Sequence, residues 1–404
     1  MPTDIRLSRR ALALGATALT LTVLPVAAFA EREPCIGLSA AISGPQAFGG
    51  EAIRMGIDLA VSEINADGGV LGEELRYVVY DEAGQPPRGV DNVRRIAEQD
   101  NCIFIFGGYH STVQLAMIEP IHEIGIPYIA TISANTGIIE NGVENSYMFR
   151  VSAKDRWVSQ FLVEEALKRS ESGDIGFIYE NTGWGQGAVG DVTAAMEAQG
   201  GNLVGTETFN WGDADMSAQL IRLRDAGADT LILWSLDREG AQILRSLARI
   251  GWEPTILSAW GNAGNLGELA GELANGVLVM QTYSWMGELE PKAQELFERL
   301  QETFGIQEQS DILMGSGTAN AYDAVHIAAK AIEEAGVWEW DAVRDAMFTV
   351  SHEGLVADYD PAFREASDED DVMNERHDAI LPEHYRLTAW HDGELLPIEQ
   401  TPYE

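Results

Sequence analysis

Residues 103–118 read Ile-Phe-Ile-Phe-Gly-Gly-Tyr-His-Ser-Thr-Val-Gln-Leu-Ala-Met-Ile, and this stretch decides the fold. Its first four residues are apolar, which is typical of a strand buried on both faces of a parallel sheet. Gly107 and Gly108 end that run, and Ser111 is a favourable N-cap for a helix that reaches about Ile124. Such a junction leaves backbone N–H groups at the carboxyl edge of the sheet, where a carboxylate can bind. The alternative is that Ser111 only caps the helix.

The same pattern of a strand followed by a helix repeats on both sides of this stretch. Before it, an apolar run at 36–42 precedes a helical pattern at 51–65 with one apolar stripe. A second series begins near Met148 and contains apolar runs at 175–179 and 230–234. Strands that alternate with helices of this length form parallel, right-handed βαβ units. A chain of 404 residues also exceeds the size at which one core keeps growing, so the sequence predicts two similar α/β lobes.

The first 30 residues have the pattern of an export signal. Arg9 and Arg10 precede an apolar run that ends in Ala28-Phe29-Ala30, an A-x-A cleavage site. Residues 8–12 also fit a twin-arginine signal loosely, and a general secretory signal is the alternative. No later segment is long and apolar enough to span a bilayer. The sequence predicts a signal peptide at 1–30 and a periplasmic protein with no direct membrane insertion.

The chain is strongly acidic, with a formal net charge of −38. This charge excludes electrostatic attraction to nucleic acid or to anionic lipid. The acidic run at 368–371 is interpreted as a solvated loop, with a cation site as the alternative.

The chain has two cysteines, Cys35 and Cys102, whose spacing and neighbours do not indicate a metal site. Cys35 precedes the first strand and Cys102 the third, and these strands are neighbours in a sheet of order 2-1-3. In an oxidising compartment we therefore expect a disulfide between them. The seven histidines lack the spacing of metal ligands, so we expect no metal.

The sharpest enzyme-like pattern is a literal G-x-G-x-x-G at 185–190, with Glu207 as a candidate ribose-binding acid. Five residues separate the preceding strand from this motif, whereas a dinucleotide site has its first glycine at the end of the strand. Other catalytic motifs, such as H-E-x-x-H and G-x-S-x-G, are missing from the sequence. The sequence therefore favours a protein that is not an enzyme, and a dinucleotide-dependent oxidoreductase is the alternative.

Aromatic residues collect just after the strands of the second series. They follow the points where parallel strands end, which is where ligands bind in α/β folds. They form either an aromatic ligand wall or ordinary core: Trp184, Trp234, Trp260, Tyr283 and Trp285.

Several segments, in this order and spacing, give the chain a family resemblance. It resembles the type I periplasmic binding proteins of the leucine/isoleucine/valine-binding group, which are partners of ABC importers. The resemblance covers nearly the whole chain after the signal. Its most specific segments are Ile36-Gly37-Leu38 with Ser43-Gly44-Pro45, Gly56-Ile57, Glu63-Ile64-Asn65-Ala66-Asp67-Gly68-Gly69-Val70-Leu71-Gly72, Asp81 with the helix after Pro86-Pro87, and Tyr147-Met148-Phe149-Arg150.

The resemblance implies an α/β fold of two Rossmann-like lobes with parallel-core sheets, joined by three hinge strands as in a Venus flytrap. It places the crossings near Arg150, at 279–282 and at 350–356. Lobe 1 is then expected at 31–150 plus 281–352, and lobe 2 at 151–280 plus 353–404. A monomer without a cofactor is expected.

The resemblance also assigns ligand-binding positions. Ser111 falls on the serine that contacts a ligand carboxylate, and Tyr109 lies beside it. Ile132, Ser133 and Ala134 fall on the segment that completes that site. Phe48 falls on an aromatic residue that covers the ligand side chain, and Trp184 on a second-lobe aromatic residue that closes over it.

One position departs from the family pattern. Amino-acid binders place a glutamate of the second lobe against the ligand ammonium, and here that position is Trp260. The family's second-lobe tyrosine falls near Leu236, beside Asp237. A buried ammonium without a carboxylate partner is costly. Either Asp237 or Glu239 substitutes, or the ligand carries no ammonium.

The sequence thus predicts a periplasmic substrate-binding protein that delivers a small carboxylate-bearing solute to an ABC permease and ATPase complex. A branched-chain or other hydrophobic amino acid is the leading solute, and an aromatic or other amine-free carboxylate or amide is the alternative. A signalling receptor for the same solute is a third interpretation.

Overall fold

The computed structural model describes Met1, residues 34–364 and residues 377–404. The predicted signal peptide, except Met1, and the acidic run at 368–371 lie outside the described residues. All described residues after Met1 belong to one compact unit. Within the described ranges, no helix has the length and apolarity that a membrane span requires.

The strands are short, and most are buried. Their bounds are β1 Cys35–Ala40, β2 Arg76–Asp81, β3 Phe104–Gly107, β4 Tyr128–Ala130, β5 Met148–Arg150, β6 Asp174–Glu180, β7 Asn202–Phe209, β8 Thr230–Trp234, β9 Thr255–Ser258, β10 Leu278–Gln281, β11 His352–Glu353, β12 Asp358–Tyr359, β13 Arg386–His391 and β14 Glu394–Pro397.

The α-helices alternate with these strands. Their bounds are α1 Ala47–Ala66, α2 Pro86–Arg94, α3 Ser111–Ile124, α4 Thr136–Ile139, α5 Asp155–Arg169, α6 Gly183–Gln199, α7 Ser217–Asp225, α8 Asp237–Ile250, α9 Leu266–Ala270, α10 Pro291–Phe304, α11 Gly315–Ala335 and α12 Trp340–Ala346.

Two separate sheets form the centres of two lobes. The first lobe is built on a parallel sheet of order β2-β1-β3-β4-β5, and the second on a sheet of order β14-β13-β10-β9-β8-β6-β7. In the second sheet, β6 to β10 are parallel, and β13 and β14 add an antiparallel edge. The apolar run around residue 103 gives β3, which is fully buried between β1 and β4. The predicted fold of two α/β lobes with parallel-core sheets is confirmed.

After β10 the chain returns to the first lobe. The long helix α11 packs against α1, where a Cβ on Gly56 would lie only 2.2 Å from the Thr318 carbonyl oxygen. The hairpin of β11 and β12 also stays with α11, because Asp323 accepts hydrogen bonds from Leu355 N–H (2.7 Å) and Tyr359 O–H (3.0 Å). The position of the third crossing, predicted at 350–356, stays a prediction.

Buried charges lie where the chain leaves β5. Arg150 is fully buried, and its Nε donates to Asp378 (2.6 Å) in the segment before β13. The Arg150 Nη1 donates to the carbonyl oxygens of Ala134 (2.8 Å) and Asn135 (2.9 Å). One guanidinium thus ties two connecting segments to the loop after β4.

The predicted disulfide is confirmed. Cys35 and Cys102 are bonded, with their Cα atoms 4.5 Å apart. Cys35 begins β1 and Cys102 precedes β3, and these strands pair in parallel, so the two Cβ atoms lie at the same end of the sheet. The bond fastens the start of the first lobe to its central strand.

Candidate functional site

The N-cap residue of α3 differs from the one that the sequence predicts. The structure makes His110 the N-cap of α3, because its Nδ1 accepts from the Thr112 N–H (3.3 Å). Ser111 is the first helical residue, and its hydroxyl accepts from the Asn135 N–H (3.2 Å) instead. The prediction that Ser111 caps the helix is therefore wrong. Its hydroxyl is left at the helix N-terminus, facing the loop after β4.

Seven of the nine residues predicted to bind ligand surround one cavity between the lobes. The cavity volume is about 10 Å³, close to the minimum that holds one water molecule. The cleft is therefore closed. The lining consists of Tyr109, His110, Ser111, Ile132, Ser133, Ala134, Trp184, Leu236, Trp260 and Gly261.

The first-lobe side of this cavity is polar, and the second-lobe side is apolar and aromatic. Ser111 and Ser133 supply hydroxyls from the first lobe, and Ser133 Oγ makes no hydrogen bond of normal geometry within the described ranges. The opposite wall is made by Trp184, Leu236 and Trp260, each at most 7% exposed. This polarity suits a solute with a carboxylate at one end and an apolar body at the other.

The structure does not bring the other two predicted residues, Phe48 and Asp237, to the cavity wall. The Phe48 ring packs edge-on against Tyr109, with ring centroids 5.4 Å apart. Phe48 and Asp237 both lie close to Gly264, where an added Cβ would be 2.3 Å from Phe48 Cε2 and 2.4 Å from Asp237 Oδ2. They stand behind the lining, at the junction of the two lobes.

The two acids expected to replace the missing glutamate already have structural partners. Asp237 accepts from the Gly264 N–H (3.3 Å), and burial raises its pKa to about 7, against the lowering effect of backbone N–H groups at 264–266. Glu239 accepts from the Gly212 N–H (3.2 Å), and burial raises its pKa. Asp237 thus holds the loop before α9, and Glu239 holds the turn after β7.

No sequence pattern indicates the buried, hydrogen-bonded pair of side chains that crosses the cleft. His110 Nε2 lies 2.8 Å from Glu180 Oε1 at the end of β6, and both side chains are at most 1% exposed. Because Nδ1 accepts a backbone hydrogen bond, Nε2 carries the proton and donates to Glu180. Trp211 Nε1 also donates to Glu180 (3.1 Å), and its ring packs edge-on against His110.

Further hydrogen bonds join the two sides of the closed cleft. Trp184 N–H donates to Thr112 Oγ1 (3.2 Å), and Asn135 Nδ2 donates to the Gly183 carbonyl (3.3 Å). The Tyr109 hydroxyl donates to the Gly261 carbonyl (3.4 Å). The N-terminus of α6 therefore seats directly on the carboxyl edge of the first sheet.

Three of the predicted aromatic residues lie elsewhere. Trp234 is fully buried in the second-lobe core, where its ring packs against the rings of Phe177 and Trp184. Tyr283 and Trp285 line a different cavity of about 300 Å³ next to β10 and β13. The aromatic wall of the cleft consists of Trp184 and Trp260.

The glycine motif at 185–190 is part of a helix and not a phosphate-binding loop. It lies in the first two turns of α6, where a Cβ on Gly185 would be 2.0 Å from the Glu180 carbonyl oxygen. Glu207, the candidate ribose acid, is bonded to Arg222 near the surface. The glycines permit close packing, and the geometry of a dinucleotide site is not formed. In the described ranges, no cluster of three or more potential metal ligands occurs.

Comparisons with known proteins agree with this architecture. The sequence profile of the periplasmic binding protein family matches residues 35–370. The chain is 25% identical to Leu/Ile/Val-binding protein homolog 3 of Brucella melitensis, over 90% of this chain and 93% of that protein.

Solved structures show the same fold. A periplasmic binding protein type 1 from Bordetella pertussis has a TM-score of 0.79 at 24% identity, covering 90% of this chain and 99% of that one. The branched-chain amino acid transporter substrate-binding protein LivJ of Streptococcus pneumoniae, in complex with isoleucine, has a TM-score of 0.75 at 19% identity, covering 89% and 97%. From the family match, the two-lobed fold and the cleft between the lobes, we conclude that this chain belongs to the periplasmic binding protein family.

Proposed function

We propose that this protein is the exported solute-binding component of an ABC importer and closes its two lobes on a small carboxylate-bearing solute. The observation that carries the proposal is the closed cleft, with hydroxyls on one side and two tryptophans on the other. The solute-binding residues are proposed to be those that line it, with Phe48 and Asp237 behind them.

The polar end of the cleft supports binding of a carboxylate. Ser111 is the first residue of α3, so its hydroxyl lies at the positive end of the helix dipole, which favours an anionic group. The buried Ser133 hydroxyl is available to donate as well. Charge-assisted hydrogen bonds from such groups are stronger than neutral ones.

The aromatic wall defines the rest of the solute. Trp184 and Trp260 offer buried ring faces to an apolar side chain, and the leading candidates are branched-chain or other hydrophobic amino acids. An amine-free aromatic or aliphatic carboxylate is the second candidate, because Trp260 stands where an acid would be expected and carries no charge.

The remaining parts of the proposal concern partners and place. The partners would be a permease and ATPase complex, with the protein acting as a periplasmic monomer that has no cofactor and catalyses no reaction. Export would use the signal at 1–30 through the general secretory or the twin-arginine route. The lobe boundaries near 150 and 281 are supported by the two sheets, and the third crossing is proposed to follow β12, because β11 and β12 contact α11.

Mass spectrometry of solute released by denaturing the purified protein tests the proposal. A small carboxylate released in a one-to-one ratio, and rebinding of the same compound by calorimetry, is the expected result. Release of a dinucleotide, or tight binding of no carboxylate from an amino-acid and organic-acid panel, would overturn it.

A further inference from the structure

The cavity next to β10 and β13 is separate from the cleft and is large enough for a small molecule. Its volume of about 300 Å³ is at the lower end of the range for small-molecule pockets. Among the described residues, none lines both this cavity and the cleft cavity. Its walls come from the loop before α9, β13 and β14 in the second lobe, and from the residues just before α11 in the first. A ligand here would occupy a site of its own.

Three aromatic rings line this cavity, and hydrogen bonds hold two of them in place. Trp285 Nε1 donates to the Gly315 carbonyl (3.0 Å), and Trp390 Nε1 donates to the Asn262 carbonyl (2.8 Å). The third ring, that of Tyr283, meets Trp285 edge to face, with ring centroids 5.2 Å apart and an interplanar angle of 76°. Because both indole N–H groups are already bonded, the two tryptophans offer an occupant their π-systems.

Every charged side chain that lines this cavity, within the described ranges, is acidic. The three are Glu268, Asp392 and Glu394. Glu268 and Asp392 are exposed and Glu394 is half-buried, so these acids form a rim around the opening. His391 Nε2 lies 3.8 Å from Asp392 Oδ2, but His391 does not line the cavity. The charge around the opening therefore attracts cations.

The aromatic wall behind this rim is neutral. Burial raises the pKa of the Tyr283 hydroxyl, so the hydroxyl stays protonated in neutral solution. Arg386 acts through space against this rise, whereas Asp323 and Glu290 add to it, and none of these three residues lines the cavity. The cavity therefore combines neutral aromatic walls with a negative rim.

We propose that this cavity is a second binding site, whose ligand is a small organic cation with an alkylated ammonium group. The π-system of an aromatic ring attracts such a cation, and the attraction is stronger where water is excluded. The alkyl groups also bury apolar surface against the rings, which an inorganic cation cannot do. The acidic rim favours the charged ligand over a neutral molecule of the same shape. The proposal does not depend on which solute the cleft binds.

Calorimetry on the purified protein tests this site with two probes that differ in charge. Choline and 3,3-dimethylbutan-1-ol have the same shape, because a carbon atom of the alcohol replaces the nitrogen of choline. Choline should bind in a one-to-one ratio and about tenfold or more tightly than the alcohol. Trp285→Leu removes one aromatic wall and should lower the affinity for choline by about tenfold or more. Trp184→Leu makes the same change in the wall of the cleft and should leave choline binding unchanged.

Glu268→Gln tests the rim, and it decides the question if Trp285→Leu does not fold, because Glu268 is exposed. It should lower the affinity for choline by about twofold or more at low salt and leave binding of the alcohol unchanged. Glu272→Gln is the matched control, since Glu272 is a neighbouring exposed acid that does not line the cavity. It should leave the affinity for choline unchanged.

Four results would each overturn the proposal. Choline does not bind at millimolar concentration, or the alcohol binds as tightly as choline. Trp285→Leu keeps the preference for choline, or one of the two control variants lowers the affinity for choline as much as its matched variant does.

Discussion

Ser111 acts in this fold as a first-turn residue and not as a cap. Its neighbour His110 takes the cap, so the hydroxyl is free to serve the cleft while it also accepts from the Asn135 N–H. Ser111→Ala should therefore weaken binding of the solute carboxylate by about tenfold or more, the usual loss for a hydrogen bond to a charged group. Calorimetry with the released solute measures the effect.

Ser152→Ala is the control for this substitution. Ser152 is equally buried, and its hydroxyl donates to the Ile132 carbonyl (2.7 Å) without lining the cavity. Ser152→Ala should lower the free energy of unfolding by about 1 kcal/mol and leave the solute affinity unchanged. Equal affinity losses in both variants would contradict a direct role for Ser111.

Glu82 is a buried acid whose proton should be visible in the pH dependence of stability. It is fully buried behind Gly108, with Ser39 Oγ donating to one oxygen (3.3 Å), and burial raises its pKa to about 8. Between its ordinary pKa of about 4.5 and pH 8, the folded protein holds a proton that the unfolded chain has lost. The free energy of unfolding therefore falls as pH rises through this window.

Glu82→Gln should remove this part of the pH dependence. The variant should match wild type near pH 5 and exceed it by a few kcal/mol at pH 8, measured by urea unfolding. The free energy of unfolding of Glu82→Gln should still fall somewhat as the pH rises. Burial raises the pKa of Asp237 to about 7, and it also raises the pKa of Asp155, the first residue of α5. Glu63, whose pKa is lowered to about 2, affects only more acidic solutions. Parallel curves for both proteins would show that Glu82 keeps its charge in the fold.

Sequence reasoning found some cleft residues and missed others for a physical reason. Ser111 and Trp260 follow strand ends, so local pattern and family position were enough to indicate them. His110 also lines the cleft, but in the sequence it stands beside Ser111, which is the more usual capping residue. The pair of His110 and Glu180 joins residues 70 positions apart and exists only where the lobes meet.

At the scale of elements, two glycines of α6 differ in whether an added side chain would meet the first lobe. A Cβ on Gly187 would lie 2.2 Å from Asn135 Nδ2 in the first lobe, whereas a Cβ on Gly190 would meet nothing within 4 Å. Gly187→Ala should therefore weaken solute binding several-fold by disfavouring the closed cleft. Gly190→Ala should leave binding unchanged.

Both substitutions raise helix propensity by up to about 1 kcal/mol, so a thermal melt should show no loss of stability in either. Calorimetry on the two variants then isolates the effect of the contact between lobes. Unchanged solute binding by Gly187→Ala would mean that Asn135 moves away at no cost.

Apolar runs indicated the elements well because strands buried on both faces leave little choice of residue. Residues 103–106 predicted β3 within one position, and the helix after it ends at Ile124 as expected. The residues of β13 and β14 were expected in the second lobe, but their antiparallel pairing at the edge of its sheet was not predicted. Its pairing with β10 joins segments more than 100 residues apart, which no local periodicity encodes.

At the scale of the whole molecule, the closed cleft is too small for any solute of the proposed class. A cavity of about 10 Å³ requires the lobes to separate before a solute can enter. We expect solute to shift an open population toward the closed one. Small-angle X-ray scattering should show a smaller radius of gyration at saturating solute than without it. An unchanged radius would argue against closure as the binding step.

The order of strands in the second sheet also determines when that sheet can form during translation. Strand β10 ends at residue 281 and lies between β9 and β13, and β13 begins only at residue 386. The edge of β10 therefore stays uncovered until more than 100 further residues have left the ribosome. The second lobe therefore cannot complete its sheet as β10 is made, and its partly formed sheet stays accessible to an export machinery that threads unfolded protein during the synthesis of the residues between the two strands.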